Sequence, residues 1–116
     1  MDKINLISDA ILLGSKGTTQ AFDVLRDRHG ETCALGAALE AIGVDLAQPT
    51  IAPPPDDTLR ERWPNLYRPY SKACPVDRCY DINVRMYGVM HLIVHLNDHH
   101  RWPRETIAQW LRQNGY

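Results

Sequence analysis

Apolar positions recur along most of this chain with a helical period. In the first stretch, MDKINLISDAILLG, Ile4, Ile7 and Ile11 alternate with Leu6, Ala10 and Leu13 at three- and four-residue intervals, the spacing that lines one side of an α-helix. A helix over 3–13 follows, with Asp2 as its N-cap and Gly14 and Gly17 ending it. The next stretch, TTQAFDVLRDRHG (18–30), loses the period and reads as irregular chain or short strand, with room for a short β-hairpin. The period returns in ETCALGAALEAIGV, where Thr32 is the expected N-cap, Leu35, Ala38, Leu39 and Ile42 form the apolar face, and Gly43 takes the left-handed position after the helix. Gly36 inside a helix costs about 1 kcal/mol relative to alanine. Among Ala34, Ala37, Ala38 and Ala41 its place is explained by close approach of another helix, which puts this segment at the centre of the core.

The segment AQPTIAPPPDD (47–57) holds four prolines, which fix φ and remove backbone donors, so it reads as an extended strap. Asp56 or Asp57 can cap a short helix, TLRERW, that Pro64 terminates, and residues 63–80 then run without period as a long irregular loop. Met86, Val89, Met90, Ile93, Val94 and Leu96 predict a buried helix over 85–97. After the connection DHHRW, Pro103 begins a last helix with Ile107, Trp110 and Leu111 as its inner stripe, and Gly115 stops it. The expected fold is a mainly α, single-domain helical bundle spanning 1–116 with a C-terminal helical hairpin over 85–113. Its core is expected to include Ile7, Ile11, Leu35, Leu39, Met90, Ile93, Val94, Ile107, Trp110 and Leu111.

A chain of 116 residues with 44% hydrophobic and 23% charged residues is ordinary for one soluble globular domain. It has neither an apolar run near the ~20 residues of a membrane span nor a signal peptide's basic and small-residue landmarks, so a cytoplasmic protein is expected. Three cysteines, an odd number, argue against a disulfide scaffold. Charge changes the picture more. Residues 1–57 carry nine acids and four bases, residues 58–116 five acids and nine bases, so two faces of opposite potential could steer a partner.

The dense stretch HLIVHLNDHHRWPRETIAQWL (91–111) reads as a metal site, a nucleic-acid reader or only a well-packed helical corner, and three chemistries are open to the chain as a whole. The first is metal. Cys74-x4-Cys79 precedes His91-x3-His95 by eleven residues, close to zinc-finger spacing, and two histidines four apart on a helix can reach one ion. His95 with His99, or His95 with His100, satisfies the histidine half equally. Against zinc stand the four residues that widen the cysteine turn and the apolar neighbours of His91 and His95, which suit core histidines. A chain without a cofactor is therefore expected, with zinc on Cys74, Cys79, His91 and His95 as the alternative.

Nucleic-acid binding is the second. The last two helices resemble a helix-turn-helix, with Arg104 at the start of the recognition helix, although the connection is long and the chain is nearly neutral. Catalysis is the third. Cys33 at a helix N-terminus could be activated, but among Ala and Leu it reads as a buried, inert thiol. No phosphate loop, dinucleotide fingerprint or nucleophile elbow is present.

The blocks CALGAALEAIG (33–43) and HLNDHHRWPRETIAQWL (95–111) resemble a group of small, mostly uncharacterised bacterial and bacteriophage proteins. These pair a C-A-L-G-A-A helix with a C-terminal H-L-N-D-x-H-x-W-[ST]-R-E-x-I-A-x-W-[LV] block. The resemblance covers about a third of the chain, and its second block is the more specific, with His95, Leu96, Asn97, Asp98, Trp102, Arg104, Glu105, Ile107, Ala108 and Trp110 all in place. Some members carry C-P-x-C before that block, where this chain has the wider CPVDRC. The resemblance implies an accessory factor that binds a host protein complex, inhibitors of host defence such as CRISPR–Cas among them. In physical terms the block builds a helical corner: Asn97 and Asp98 cap the helix end and turn, and Trp102 closes over Ile107 as a hydrophobic staple.

Together these readings lead to a non-enzymatic binding protein, with a nucleic-acid-binding or zinc-stabilised regulatory domain as the alternative. The contact residues expected are Trp63, Tyr67, Arg68, Tyr70, Lys72 and Arg78 on the loop and Arg101 and Arg104 on the corner. Most are of the types enriched at binding hot spots.

Overall fold

The computed structural model describes residues 5–46, 56–67, 74–79 and 88–116. Helices dominate: α1 (Ile7–Ser15), α2 (Ala34–Ala41), α3 (Asp56–Arg62), a 3-10 turn (Pro64–Tyr67), α4 (Val89–Asp98) and α5 (Arg104–Gln113). No strand occurs among the described residues. The radius of gyration, 13.1 Å, is that of a single compact domain of this length. Asp2, the strap over 47–55 and the start of the expected 85–97 helix lie outside the described residues.

α2 is the centre. Ala34 to Leu39 are all buried, and the two glycines of the core are set by backbone contact. A Cβ on Gly14, which lies inside α1 and does not end it, would sit 1.8 Å from the Ala37 carbonyl oxygen. One on Gly36 would sit 2.0 Å from that of Leu25. The approach expected at Gly36 is thus made by the 18–30 segment, and the helix–helix approach is made at Gly14. Gly17, at φ +73°, turns the chain after α1, and Gly43, at φ +89°, closes α2 with Val44 N–H donating to the Leu39 carbonyl at 3.0 Å.

Residues 18–32 form no hairpin. Gln20 and Arg26 each make one isolated bridge to Thr32, parallel and antiparallel respectively. The loop is held instead by a side chain from the far end of the sequence. Arg104, 3% exposed, donates from Nη1 to Thr18 Oγ1 and Thr32 Oγ1, both at 3.0 Å, and from Nη2 to the Thr18 carbonyl at 2.5 Å. Spending a guanidinium on backbone and hydroxyl oxygens satisfies acceptors that the missing strand ladder leaves open.

Of the expected core, Ile7, Ile11, Leu35, Leu39, Met90, Ile93, Ile107 and Leu111 are buried, whereas Val94 and Trp110 are half-buried against its edge. α4 adds Val89, Leu92 and Leu96, and the segment before it adds Leu59, Trp63 and Leu66. No helix among the described residues is long and apolar enough to cross a membrane.

Candidate metal centre

The corner between α4 and α5 begins with a tight C-terminal turn. Beyond Asp98 the backbone N–H groups of His99 and His100 both donate to the His95 carbonyl, at 2.9 and 3.3 Å. That turn folds the His100 ring back against His95: the centroids lie 4.6 Å apart, edge to face, while His99 stacks on His95 at 5.0 Å. Arg101 leaves the turn at φ 53°, and its guanidinium lies over the Phe22 ring at 4.4 Å.

Against this corner stands the segment 74–79. Its four intervening residues were expected to fan the two thiols apart. Instead Cys79 N–H donates to the Val76 carbonyl at 3.2 Å and Arg78 takes a left-handed conformation at φ 63°, which reverses the chain and returns Cys79 toward Cys74. The result is a four-residue group, Cys74, Cys79, His95 and His100, whose candidate ligand atoms all lie within 4.8 Å of one another. Cys74 is buried, and Cys79, His95 and His100 are half-buried.

His95 Nε2 decides what this group is suited to. It lies 3.3 Å from Cys79 Sγ and 3.0 Å from His100 Nε2. A ring nitrogen has one in-plane lone pair or one N–H, so it cannot make two well-directed hydrogen bonds at once. The spacing is close to that of ligands around one ion, since bond lengths of about 2.0–2.1 Å for nitrogen and 2.3 Å for sulfur give tetrahedral edges of about 3.3–3.8 Å. Burial and the neighbouring His99 lower the His100 pKa from 6.5, which favours the neutral imidazole that binds metal. The group can bind a metal.

No protein-family model, curated protein or solved structure matches the chain.

The ligand set differs from the expected one by a single residue. His91 is exposed on α4 and is not in the group; His100 takes its place, because the turn after Asp98 brings a later histidine to His95 from beyond the helix. The pairing His95-x4-His100 carried that signal in the sequence. Nor is His91 a core residue, despite its apolar neighbours.

The expected contact residues divide. Trp63, 4% exposed, belongs to the core, and Arg104 is committed to the 18–32 loop; neither is available at the surface. Burial of Arg104 also takes from the helix-turn-helix reading the side chain on which it rested. Tyr67 is half-buried under the Arg60 guanidinium, 4.5 Å from its ring centroid. Arg78 and Arg101 are exposed, each next in sequence to a member of the metal group. Arg68, Tyr70 and Lys72 lie outside the described residues. Cys33 is buried, as expected of an inert thiol, and its burial pushes the pKa up to about 11.

Asn97 and Asp98, expected to cap their own helix end, instead reach across to the 18–34 region. Asn97 Oδ1 accepts from Ala34 N–H at 3.1 Å and from Gln20 Nε2 at 2.8 Å, and its Nδ2 donates to the Ala21 carbonyl at 3.1 Å. Asp98 Oδ1 accepts from the N–H of Asp23 at 3.0 Å, and Asp23 is itself held at φ 65°. The metal corner and the 18–34 region are one hydrogen-bonded unit.

Proposed function

We propose that this chain is a non-catalytic binding domain whose C-terminal corner is stapled by a structural zinc ion on Cys74, Cys79, His95 and His100. The observation that carries the proposal is the convergence of two sulfurs and two ring nitrogens within 4.8 Å. Two thiolates with two imidazoles make a borderline-soft donor set that suits Zn²⁺ better than Mg²⁺ or Ca²⁺. Four protein ligands complete the tetrahedron, which leaves no open position for a substrate and so favours a structural role. The staple would tie 74–79 to the end of α4 and hold the exposed Arg78 and Arg101, both left-handed, in fixed directions for a partner.

The resemblance of the 33–43 and 95–111 blocks to bacteriophage proteins supports a host protein complex as that partner, and inhibition of a defence complex such as CRISPR–Cas is the specific form of this reading. Elemental analysis of protein purified without added metal tests the staple. One zinc per chain, with a melting temperature that falls in chelator, is expected; zinc well below one per chain, with melting unmoved by chelator, overturns it. Affinity capture from a bacterial lysate tests the partner. Capture that survives nuclease treatment is expected, and capture that nuclease abolishes would point to nucleic acid.

A further inference from the structure

We propose that the Cys74–Cys79 pair is also a peroxide-sensitive latch, closing to a disulfide that releases the ion; this rests on the zinc reading above. The two sulfurs lie within 4.8 Å of each other, and neither cysteine is in a disulfide. They differ in access: Cys79 is half-buried and Cys74 buried, so one can meet an oxidant while the other waits beside it. Metal ligation keeps both as thiolates, the nucleophilic form. Cys33 provides the contrast within the same chain, since burial holds it protonated, with a pKa of about 11.

The oxidant is a hydroperoxide. Cys79 Sγ attacks its terminal oxygen, the O–O bond breaks, and the leaving oxygen takes a proton from water and departs as the alcohol, or as water from hydrogen peroxide. Two electrons pass from sulfur to oxygen, leaving Cys79 as a sulfenic acid. Cys74 thiolate then attacks Cys79 Sγ, the S–O bond breaks, and the hydroxide is protonated to water. In sum, two thiolates, one hydroperoxide and two protons give one disulfide, one alcohol and one water. The sulfurs must close to about 2.05 Å, a movement comparable to one rotamer change at Cys79. With both sulfurs withdrawn, His95 and His100 alone would remain to the ion. It leaves, and 74–79 is released from the end of α4. A dithiol reverses the reaction by exchange.

Trypsin makes the latch readable, because cleavage after Lys72 and Arg78 places Cys74 in peptide 73–78 and Cys79 in peptide 79–85, with Cys33 in 29–60. Metal content of the untreated protein is measured first, and a value well below one zinc per chain overturns the zinc reading and the latch with it. Zinc-loaded protein is then treated with a small excess of hydrogen peroxide. The expected result is loss of one zinc per chain, a disulfide joining 73–78 to 79–85, an unmodified 29–60 peptide, and recovery of zinc binding after dithiothreitol. Zinc retained under peroxide, or lost without the cross-linked peptide, overturns the latch and leaves the structural zinc standing.

Discussion

Asn97, in the last turn of α4, accepts the backbone N–H of Ala34 and so caps α2, a helix that begins 63 residues earlier. Cys33, the residue in the N-cap position, offers that helix only a thiol, which accepts Gly36 N–H at 3.4 Å. The stronger acceptor arrives from another helix. Its amide is fully used, since the nitrogen holds the Ala21 carbonyl at 3.1 Å and the side chain is 1% exposed.

Asn97→Ala is therefore expected to cost about 2–4 kcal/mol, the sum of a lost cap and buried groups left unpaired. Denaturant melts of the two proteins measure it. A loss below about 0.5 kcal/mol, within the range of ordinary surface substitutions, would mean that water replaces the amide at no cost.

At Gly14 and Gly36 two effects oppose each other. Alanine is the better helix former by about 1 kcal/mol, and on propensity alone Gly14→Ala and Gly36→Ala should stabilise. The added methyl would meet backbone carbonyls at 1.8 and 2.0 Å, and backbone cannot rotate aside. Both variants are expected to lose about 1–3 kcal/mol or more, as overpacked cores do. A melting temperature raised by either change would show that the helices separate easily.

The helices were legible because their apolar faces repeat at helical spacing and their ends carry glycine or proline. Their starts were less legible: α1 begins at Ile7 with no side-chain cap, Cys33 rather than Thr32 holds the N-cap position of α2, α3 already includes Asp56, and Pro103 precedes α5 as its N-cap instead of opening it. The centre of the core was legible in the small residues of α2. What periodicity could not show is where a polar side chain goes once the chain folds. Arg104 and Asn97 lie in a block whose regularity suggested a recognition helix and a local cap, yet both reach across to 18–34. Trp63 looked like an exposed anchor because no period surrounds it; a single large ring buries itself without one. The metal group was legible in its residue types and missed in one member, because i, i+4 spacing describes a continuous helix and α4 ends between His95 and His100.

Cys33 ties stability to pH. Burial raises its pKa from 9.0 to about 11, so the unfolded chain loses this proton first. Between those values the unfolded state binds fewer protons than the folded one, and stability falls as pH rises. The contribution is complete below pH 9 and is lost on the way to 11, with a full size of roughly 2–3 kcal/mol. Cys33→Ala should flatten this part of the curve. Equal slopes for wild type and variant between pH 8.5 and 10.5 would show that Cys33 ionises freely in the fold.

His91 and His100 separate a centre on Cys74, Cys79, His95 and His100 from the zinc finger that sequence spacing suggests. In a continuous-helix site His91 and His95 would supply the nitrogens. In the folded chain His91 is exposed outside the group, and His100 Nε2 stands 3.0 Å from His95 Nε2. His100→Ala should therefore lose zinc to a competing chelator at least tenfold more readily than wild type, a factor worth about 1.4 kcal/mol, while His91→Ala keeps wild-type retention. Cobalt gives a second readout: a tetrahedral site with two sulfurs and two nitrogens has strong visible absorption, and replacing one nitrogen with water should change its envelope. Loss of zinc in His91→Ala with retention in His100→Ala would restore the continuous-helix site and remove the turn after Asp98 from the metal centre.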